Sequence, residues 1–231
     1  MTEELKYFKL AKELNDKHHD ILLEKQLHFR GNFKSFSIVS VSQLSPERGK
    51  SGLTSKEQAE RYLNINEQKK LTETGRITEE KNLQAFIINH SLNNNGILPF
   101  GDFTFITSEM AVQLADKKRI VNDILAIDSN NNLVIIELKS LRNNKVKQQT
   151  IDFEEKVIVP YCALIKELVK IITGRTWNGN TRKIAVWNAP TSKTSVRLND
   201  FADKVELYNF VYEGKRTEKF VIMDKVIFEK E

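Results

Sequence analysis

Three ionisable side chains stand in two otherwise apolar segments of the chain, and their types suit chemistry at a phosphate. Asp123 lies in the first segment, and Glu137 and Lys139 lie in the second, with thirteen residues between Asp123 and Glu137. Hard divalent cations such as Mg²⁺ prefer carboxylate, carbonyl and water oxygens, and a bound cation can activate water and neutralise phosphate charge. A neighbouring lysine can hold or deprotonate the attacking water. These residues therefore indicate metal-assisted hydrolysis.

The two segments predict a β-hairpin that brings the three side chains together. Residues 123–128 and 133–139 are rich in Ile, Leu and Val, and the Ser-Asn-Asn-Asn run between them is typical of a turn. Side chains alternate along a strand, so Glu137 and Lys139 share one face while their apolar neighbours point into a core. Pairing through the turn sets Asp123 level with them. Two carboxylates and a lysine then converge at one strand end.

Alternatively, the hairpin lies on the surface and Glu137 and Lys139 form an ion pair that has only a structural role. An isolated Glu-x-Lys is weak support for a site. Asp123 favours the functional interpretation, because an unpaired carboxylate is costly to bury in an apolar strand unless a metal or a partner compensates it.

The same residues resemble the Asp…(Asp/Glu)-x-Lys signature of the PD-(D/E)XK nuclease superfamily, in the form used by Holliday-junction resolvases and mismatch endonucleases. Residues 122–126 and 135–139 carry the match. The resemblance implies an α/β fold with a restriction-endonuclease-like core, in which helices flank a central mixed β-sheet. It also implies that Asp123 and Glu137 bind Mg²⁺, with Mn²⁺ as the other candidate, and that Lys139 positions or activates water. The implied substrate is double-stranded DNA, cleaved to leave a 5′-phosphate.

A helix predicted over residues 79–89 offers a further carboxylate, with Thr78 as its expected N-cap. Glu79 and Glu80 lie in its first turn, where negative charge favours the helix dipole, and that structural role is sufficient by itself. Alternatively, one of them completes the metal site, because both lie within a turn of Leu83 on the face that packs against the sheet. The resembled superfamily carries a helical Glu in a Glu-x-x-Leu setting, which matches Glu80 rather than Glu79.

Two other positions bear on the resemblance. Gln149, with Phe153 four residues later, resembles the Gln-x-x-x-Tyr element of some nucleases in the group, whose Gln faces the active site. Alternatively, the Gln149 side chain faces the solvent. Asn122 precedes the Asp where the family often has Pro, Val or Ile, and we expect this departure not to touch the chemistry.

Charge is unevenly distributed along the chain. The formal net charge is +5, and residues 139–183 hold ten basic and four acidic residues. A basic surface beside a metal site suits a polyanion such as DNA, while ordinary solvated lysines are the alternative. The loop 174–181 contains Arg175 and Trp177 and precedes Arg182. It is a candidate for nucleic-acid contact, against the commoner outcome of a buried Trp.

Other features of composition exclude several protein classes. The single cysteine, Cys162, excludes an internal disulfide framework and a cysteine-rich zinc site, and suits a reducing compartment. No apolar stretch approaches the length of a membrane span, and the N-terminus lacks a signal-peptide pattern. We expect a cytoplasmic protein without membrane contact.

We expect an N-terminal extension over residues 1–75, mostly helical, that serves specificity or homodimerisation, and a nuclease-like domain over 76–231. Helices are predicted over residues 3–28, 145–157 and 161–173, and a further helix begins at residue 54. Strands are predicted over residues 36–41, 100–107, 183–187, 205–212 and 220–228. Residues 110–119 are expected to form a loop over DNA.

These patterns predict a Mg²⁺-dependent DNA endonuclease that acts in restriction or defence, or in DNA repair. One alternative is a nuclease-fold module that binds nucleic acid or a protein partner without cutting, and another is a purely structural interaction domain. The presence of all three motif residues favours the nuclease.

Overall fold

The structure is a computed structural model that describes residues 6–20, 27–31, 35–40, 79–113, 119–139, 145–188, 205–212 and 220–225. It is an α/β structure with a mixed β-sheet and helices, as the sequence predicts. Its elements, in chain order, are α1 (Lys6–Lys17), β1 (Leu27–Gly31), β2 (Ser35–Ser40), α2 (Glu79–Asn93), β3 (Thr104–Gln113), β4 (Arg119–Ile127), β5 (Leu133–Lys139), α3 (Lys145–Phe153), a π-helical segment (Glu154–Ile158), α4 (Cys162–Thr173), β6 (Thr181–Asn188), β7 (Glu206–Tyr212) and β8 (Phe220–Lys225).

Two compact units divide the chain. The first comprises Met1–Arg76 and Thr107–Val121, and the second comprises Ile77–Ile106 and Asn122–Glu231. The first division lies between Arg76 and Ile77, and residues 107–121 group with the N-terminal unit. The reason is that β3 pairs in parallel with β2. The predicted N-cap Thr78 and the helix predicted from residue 54 lie outside the described residues.

In the first unit, α1 packs against β1, which pairs antiparallel with β2. The helical spacing predicted a helix over 3–28, but α1 ends at Lys17 and residues 27–31 form a strand. The side chain of Asn15 donates to the carbonyl of Phe29 and accepts from its amide, both at 2.7 Å. These bonds, with the burial of the Phe29 ring, hold an extended backbone against the helix.

In the second unit, β4 to β8 are neighbours in chain order. The β4/β5 and β7/β8 pairs are antiparallel, while β5/β6 and β6/β7 are parallel, so this part of the sheet is mixed. The predicted hairpin of β4 and β5 is therefore confirmed. No residue from Leu133 to Leu138 is more than 1% exposed, which is typical of a strand covered on both faces.

Helix α3 covers the face of the sheet to which Glu137 and Lys139 belong. Level partners on adjacent strands share a face, and Ala185 and Trp187 on β6 are level with Glu137 and Lys139. Val146 of α3 is in one buried cluster with Ala185 and Trp187. Glu137 is only 1% exposed, because this cluster and helix α3 cover its face of the sheet.

Differences elsewhere concern where elements begin and end. The helix predicted over 145–157 changes to π-helical geometry at Glu154. Helix α4 ends, as predicted, at Gly174, whose φ of 69° is left-handed. The predicted loop at 110–119 is wrong in its first part, because β3 continues to Gln113 and buries Met110 and Val112. Among the residues that the structure describes, no helix combines the length and apolar character needed to cross a membrane.

The turn of the β4/β5 hairpin is held by a dense polar network centred on Asp128. Its Oδ1 accepts the amides of Asn130 and Asn132 at 2.9 Å, and its Oδ2 accepts Nη1 of Arg182 at 2.8 Å. Arg182 also makes two bonds, of 2.8 and 2.7 Å, to the Glu206 carboxylate. The turn thus joins β4 and β5 to β6 and β7 through one guanidinium group.

The loop 174–181 belongs to this network, and its Trp177 is buried, which is the commoner of the two outcomes considered for it. Arg175 donates to Oδ1 of Asn131 at 2.9 Å and to the carbonyl of Asp128. The Trp177 side chain is buried, and its indole N–H donates to the Asn180 carbonyl at 2.6 Å. These side chains hold the hairpin turn, because they are bonded inside the protein rather than directed to a ligand.

We expect the Asp128→Asn variant to lose about 1–3 kcal/mol of unfolding free energy, because it removes a charge-assisted bond whose acceptor is buried. Burial raises the pKa of Asp128, but bonds from Arg182 and Asn132 outweigh it and leave the pKa below its ordinary value of 3.8. The stabilisation is therefore present above about pH 4 and is lost as the pH falls through the folded-state pKa. Urea unfolding of both proteins between pH 2 and 7 measures this difference.

The matched control is Asp152→Asn on α3, where the carboxylate pairs with Lys156 at 3.3 Å on the surface. Since an exposed pair contributes little, we expect a loss below about 1 kcal/mol there. Equal losses in the two variants, or a difference that does not shrink in acid, would contradict the role given to Asp128.

Candidate carboxylate site

The candidate site lies where the β4/β5 ladder ends. The last register partners are Ile124 and Ile136. Beyond them, the amide of Leu138 donates to Oδ2 of Asp123 at 2.8 Å, and Nδ2 of Asn122 donates to the carbonyl of Ile136 at 3.0 Å. Side chains of β4 thus bond the main chain of β5 where main-chain pairing has stopped. Asp123 is held by this exchange at the strand end, as the hairpin predicted.

Glu137 and Lys139 lie next to Asp123 on β5. Oε2 of Glu137 is 3.5 Å from Nζ of Lys139, and their side chains are 2% and 13% exposed. Oε1 of Glu137 is buried and has no hydrogen-bond partner among the residues that the structure describes. A buried carboxylate oxygen without a donor is costly, so the site favours either a proton or a cation at this position.

Both carboxyl groups hold protons more tightly than isolated carboxyl groups do. Burial raises the pKa of Glu137 well above its ordinary value of 4.5, and the charge of Asp123 raises it further. Burial also raises the pKa of Asp123 above its ordinary value of 3.8, although the Leu138 amide and the Lys139 charge act in the opposite direction. Because the two carboxyl groups interact directly, they titrate as a pair.

Helix α2 contributes two further side chains to Asp123. Nε2 of Gln84 donates to the main-chain carbonyl of Asp123 at 2.9 Å. Glu80 lies one turn earlier on the same side of α2, and its charge raises the pKa of Asp123, so the two carboxylates are close. The Glu79 side chain is outside what the structure describes. The structure therefore brings Glu80 to the other predicted residues.

Gln149 lies apart from this group. Its side chain is exposed on α3, whose buried side chains are Val146, Thr150 and Phe153. In the described part of the chain, no hydrogen bond joins Gln149 to the carboxylates. The structure thus brings together Asp123, Glu137, Lys139 and Glu80, but not Gln149.

Two residues at the site were missed or discounted in the sequence. Gln84 was not predicted, although its spacing of four residues from Glu80 is the signal that could have indicated it. Asn122 was expected not to touch the chemistry, but its amide binds the carbonyl that immediately precedes Glu137. The structure thus places Asn122 beside Glu137, while its effect on the chemistry stays a prediction.

The residues present fit a hard divalent cation. No group of three or more His, Cys, Asp or Glu side chains suited to a metal occurs among the described residues. Mg²⁺ is commonly held by one or two carboxylates, with water and substrate phosphates as the other ligands. Asp123 and Glu137 supply such a pair, and no side chain or main-chain group that the structure describes donates to Oε1 of Glu137. A cation would also relieve the repulsion from Asp123 that, after burial, raises the pKa of Glu137.

Comparison of the chain with family models, with curated proteins and with solved structures finds no match.

Proposed function

We propose that the chain is a Mg²⁺-dependent endonuclease that hydrolyses phosphodiester bonds in double-stranded DNA. The observation that carries this proposal is the pair of half-buried Asp123 and buried Glu137. Oε1 of Glu137 has no donor among the described residues, and Nζ of Lys139 is 3.5 Å from Oε2. Structural carboxylates are normally saturated with donors, as Asp128 is at the other end of the hairpin. The contrast favours a site that binds a ligand.

Each residue has a chemical task in this proposal. Asp123 and Glu137 would hold Mg²⁺, or Mn²⁺ in its place, and the bound cation would supply Lewis acidity and an acidified water. Lys139 donates from Nζ, which suits it to orient the attacking water and to balance charge beside Glu137. Glu80 would assist with a metal or a water, while Gln84 fixes the main chain of Asp123 against α2.

Other parts of the proposal follow from the motif and the fold. The mixed sheet, with a hairpin followed by a helix and a parallel strand, supports a restriction-endonuclease-like core. The excess of basic residues over 139–183 supports a polyanionic substrate, although Arg175 and Arg182 are bonded internally. We infer that the enzyme is cytoplasmic and acts in restriction, in defence or in DNA repair. We also infer that it forms a homodimer through its N-terminal part.

We expect purified protein to cut supercoiled plasmid or linear duplex DNA with Mg²⁺ or Mn²⁺, and to leave both intact in EDTA. Agarose gels of the products distinguish nicking, site-specific cutting and general degradation. An Asp123→Asn variant is the control for a contaminating nuclease. DNA binding measured from 50 to 300 mM salt completes the test, because phosphate contacts weaken steeply with salt.

Failure to cut, combined with salt-sensitive DNA binding, would favour the binding module that does not cleave. Failure to cut and to bind DNA would favour the structural interaction domain. Cutting that persists in Asp123→Asn or in EDTA would contradict the proposed site.

A further inference from the structure

Asn122 makes contacts that a structural role in the strand does not require. The residue is fully buried, and its Nδ2 donates to the carbonyl of Ile136 at 3.0 Å. That carbonyl belongs to the peptide group whose nitrogen is the amide of Glu137. The Asn122 side chain also interacts with the Glu137 carboxyl group itself. One amide side chain therefore acts on both the main chain and the side chain of Glu137.

The second atom of the amide, Oδ1, is unsatisfied. Oδ1 of Asn122 and Oε1 of Glu137 are both buried, and within the described part of the chain neither has a hydrogen-bond partner. The Nδ2 bond to a carbonyl fixes the orientation of the amide, since a flipped group would bring two oxygens together. Two interacting side chains thus each leave an acceptor without a donor. A hydrated cation satisfies both, because the cation binds the carboxylate and a water of its hydration shell donates to the amide oxygen.

We propose that Asn122 is a positioning residue of the cation site: its Nδ2 fixes the peptide that carries Glu137, and its Oδ1 receives a water of the cation's hydration shell. This inference rests on the proposed function, because it presupposes a cation at Asp123 and Glu137. It explains why a polar residue occupies a fully buried strand position where an apolar side chain would otherwise be favoured.

The test measures Mn²⁺ binding to the DNA-free protein by titration calorimetry, together with the Mn²⁺-induced rise in melting temperature. Since partners of metal ligands commonly contribute 10–100-fold to metal affinity, we expect Asn122→Ala to raise the Kd for Mn²⁺ about tenfold. In cleavage assays, the same variant should need more Mg²⁺ for half-maximal kcat, while KM for DNA stays close to that of the wild type. Asn122→Ser, which retains a hydrogen-bonding group, should show a smaller change and serves if the alanine variant does not fold.

The matched control is Asn132→Ala. Asn132 is on the same hairpin, and its side chain also bonds a carboxylate, Oδ2 of Asp128 at 2.8 Å, but at the turn end. We expect this variant to melt at a lower temperature and to bind Mn²⁺ as the wild type does.

The outcomes separate this inference from the proposed function. Wild-type protein that binds no Mn²⁺ overturns both. Wild-type protein that binds Mn²⁺, with an unchanged Kd in folded Asn122→Ala or Asn122→Ser, overturns the inference alone. An equal loss of Mn²⁺ affinity in Asn132→Ala also overturns it, since that result assigns the effect to general destabilisation.

Discussion

Replacing Lys139 with methionine is expected to lower kcat for DNA cleavage by about 10²–10⁴-fold, the usual contribution of a positioned proton-transfer group. Methionine keeps much of the volume and removes the ammonium group. The fold should persist, because Glu137 can remain protonated without its partner: burial raises the pKa of that carboxyl well above its ordinary value. Plasmid cleavage at saturating Mg²⁺ measures the loss, and circular dichroism verifies the fold.

Lys183→Met is the matched control for this experiment. Lys183 lies on the neighbouring strand β6, on the same face of the sheet, and its Nζ pairs with Oε2 of Glu154. Both lysines are thus partly buried and paired with a glutamate, but only Lys139 is beside Asp123. We expect Lys183→Met to lose stability and to retain cutting. Equal loss of activity in both variants would contradict a specific role for Lys139.

Glu137→Gln is expected to abolish cutting and, without metal at pH 7 to 8, to melt at a higher temperature than the wild type. The pKa of Glu137 is raised in the folded state, so its contribution to stability is fully present below pH 4.5 and is lost as the pH rises through the folded-state pKa. Glutamine removes this charge and its repulsion with Asp123. We expect a gain of about 2–4 °C, which corresponds to roughly 1 kcal/mol in a chain of this size.

Metal should reverse this order of stability. A cation that binds only the folded protein stabilises it by mass action, so added Mn²⁺ should raise the melting temperature of the wild type and have little effect on Glu137→Gln. Thermal melts at pH 5 and pH 8, each with and without Mn²⁺, measure both effects. A variant that melts lower than the wild type at pH 8 without metal would mean that the ionised Glu137–Lys139 pair is stabilising.

The hairpin and the convergence of its three charged residues could be predicted because their signals are local. Two apolar runs flank an Asn-rich turn, and the alternation of side chains then assigns Glu137 and Lys139 to one face. Contacts distant in sequence were not predictable in this way. The basic and aromatic pattern around Arg182 indicates nucleic-acid contact, but its acceptors on Asp128 and Glu206 are 54 and 24 residues away in the chain.

The roles of Asn122 and Gln84 depend on tertiary geometry. Asn122 donates to Ile136 because main-chain pairing of β4 and β5 has ended at Ile124 and Ile136. Gln84 reaches Asp123 only because α2 packs beside β4. Neither event has a local sequence signal. The strand at residues 27–31 has no local signal either, because the bonds between Asn15 and Phe29 stabilise it. The apolar residues before it are at helical spacing, which predicts a helix instead.

The two ends of the β4/β5 hairpin respond to protons in opposite directions. At the turn, Asp128 stabilises the fold when it is ionised, so acid below its ordinary pKa of 3.8 removes that contribution. At the other end, Asp123 and Glu137 stabilise the fold when they are protonated, so their contribution is lost as the pH rises through their raised folded-state pKa values. The metal-free hairpin therefore loses stability at its turn as the pH falls and at its other end as the pH rises. Under the proposed function, a divalent cation would act in place of the proton at one end only and would preserve the stability of that end at higher pH.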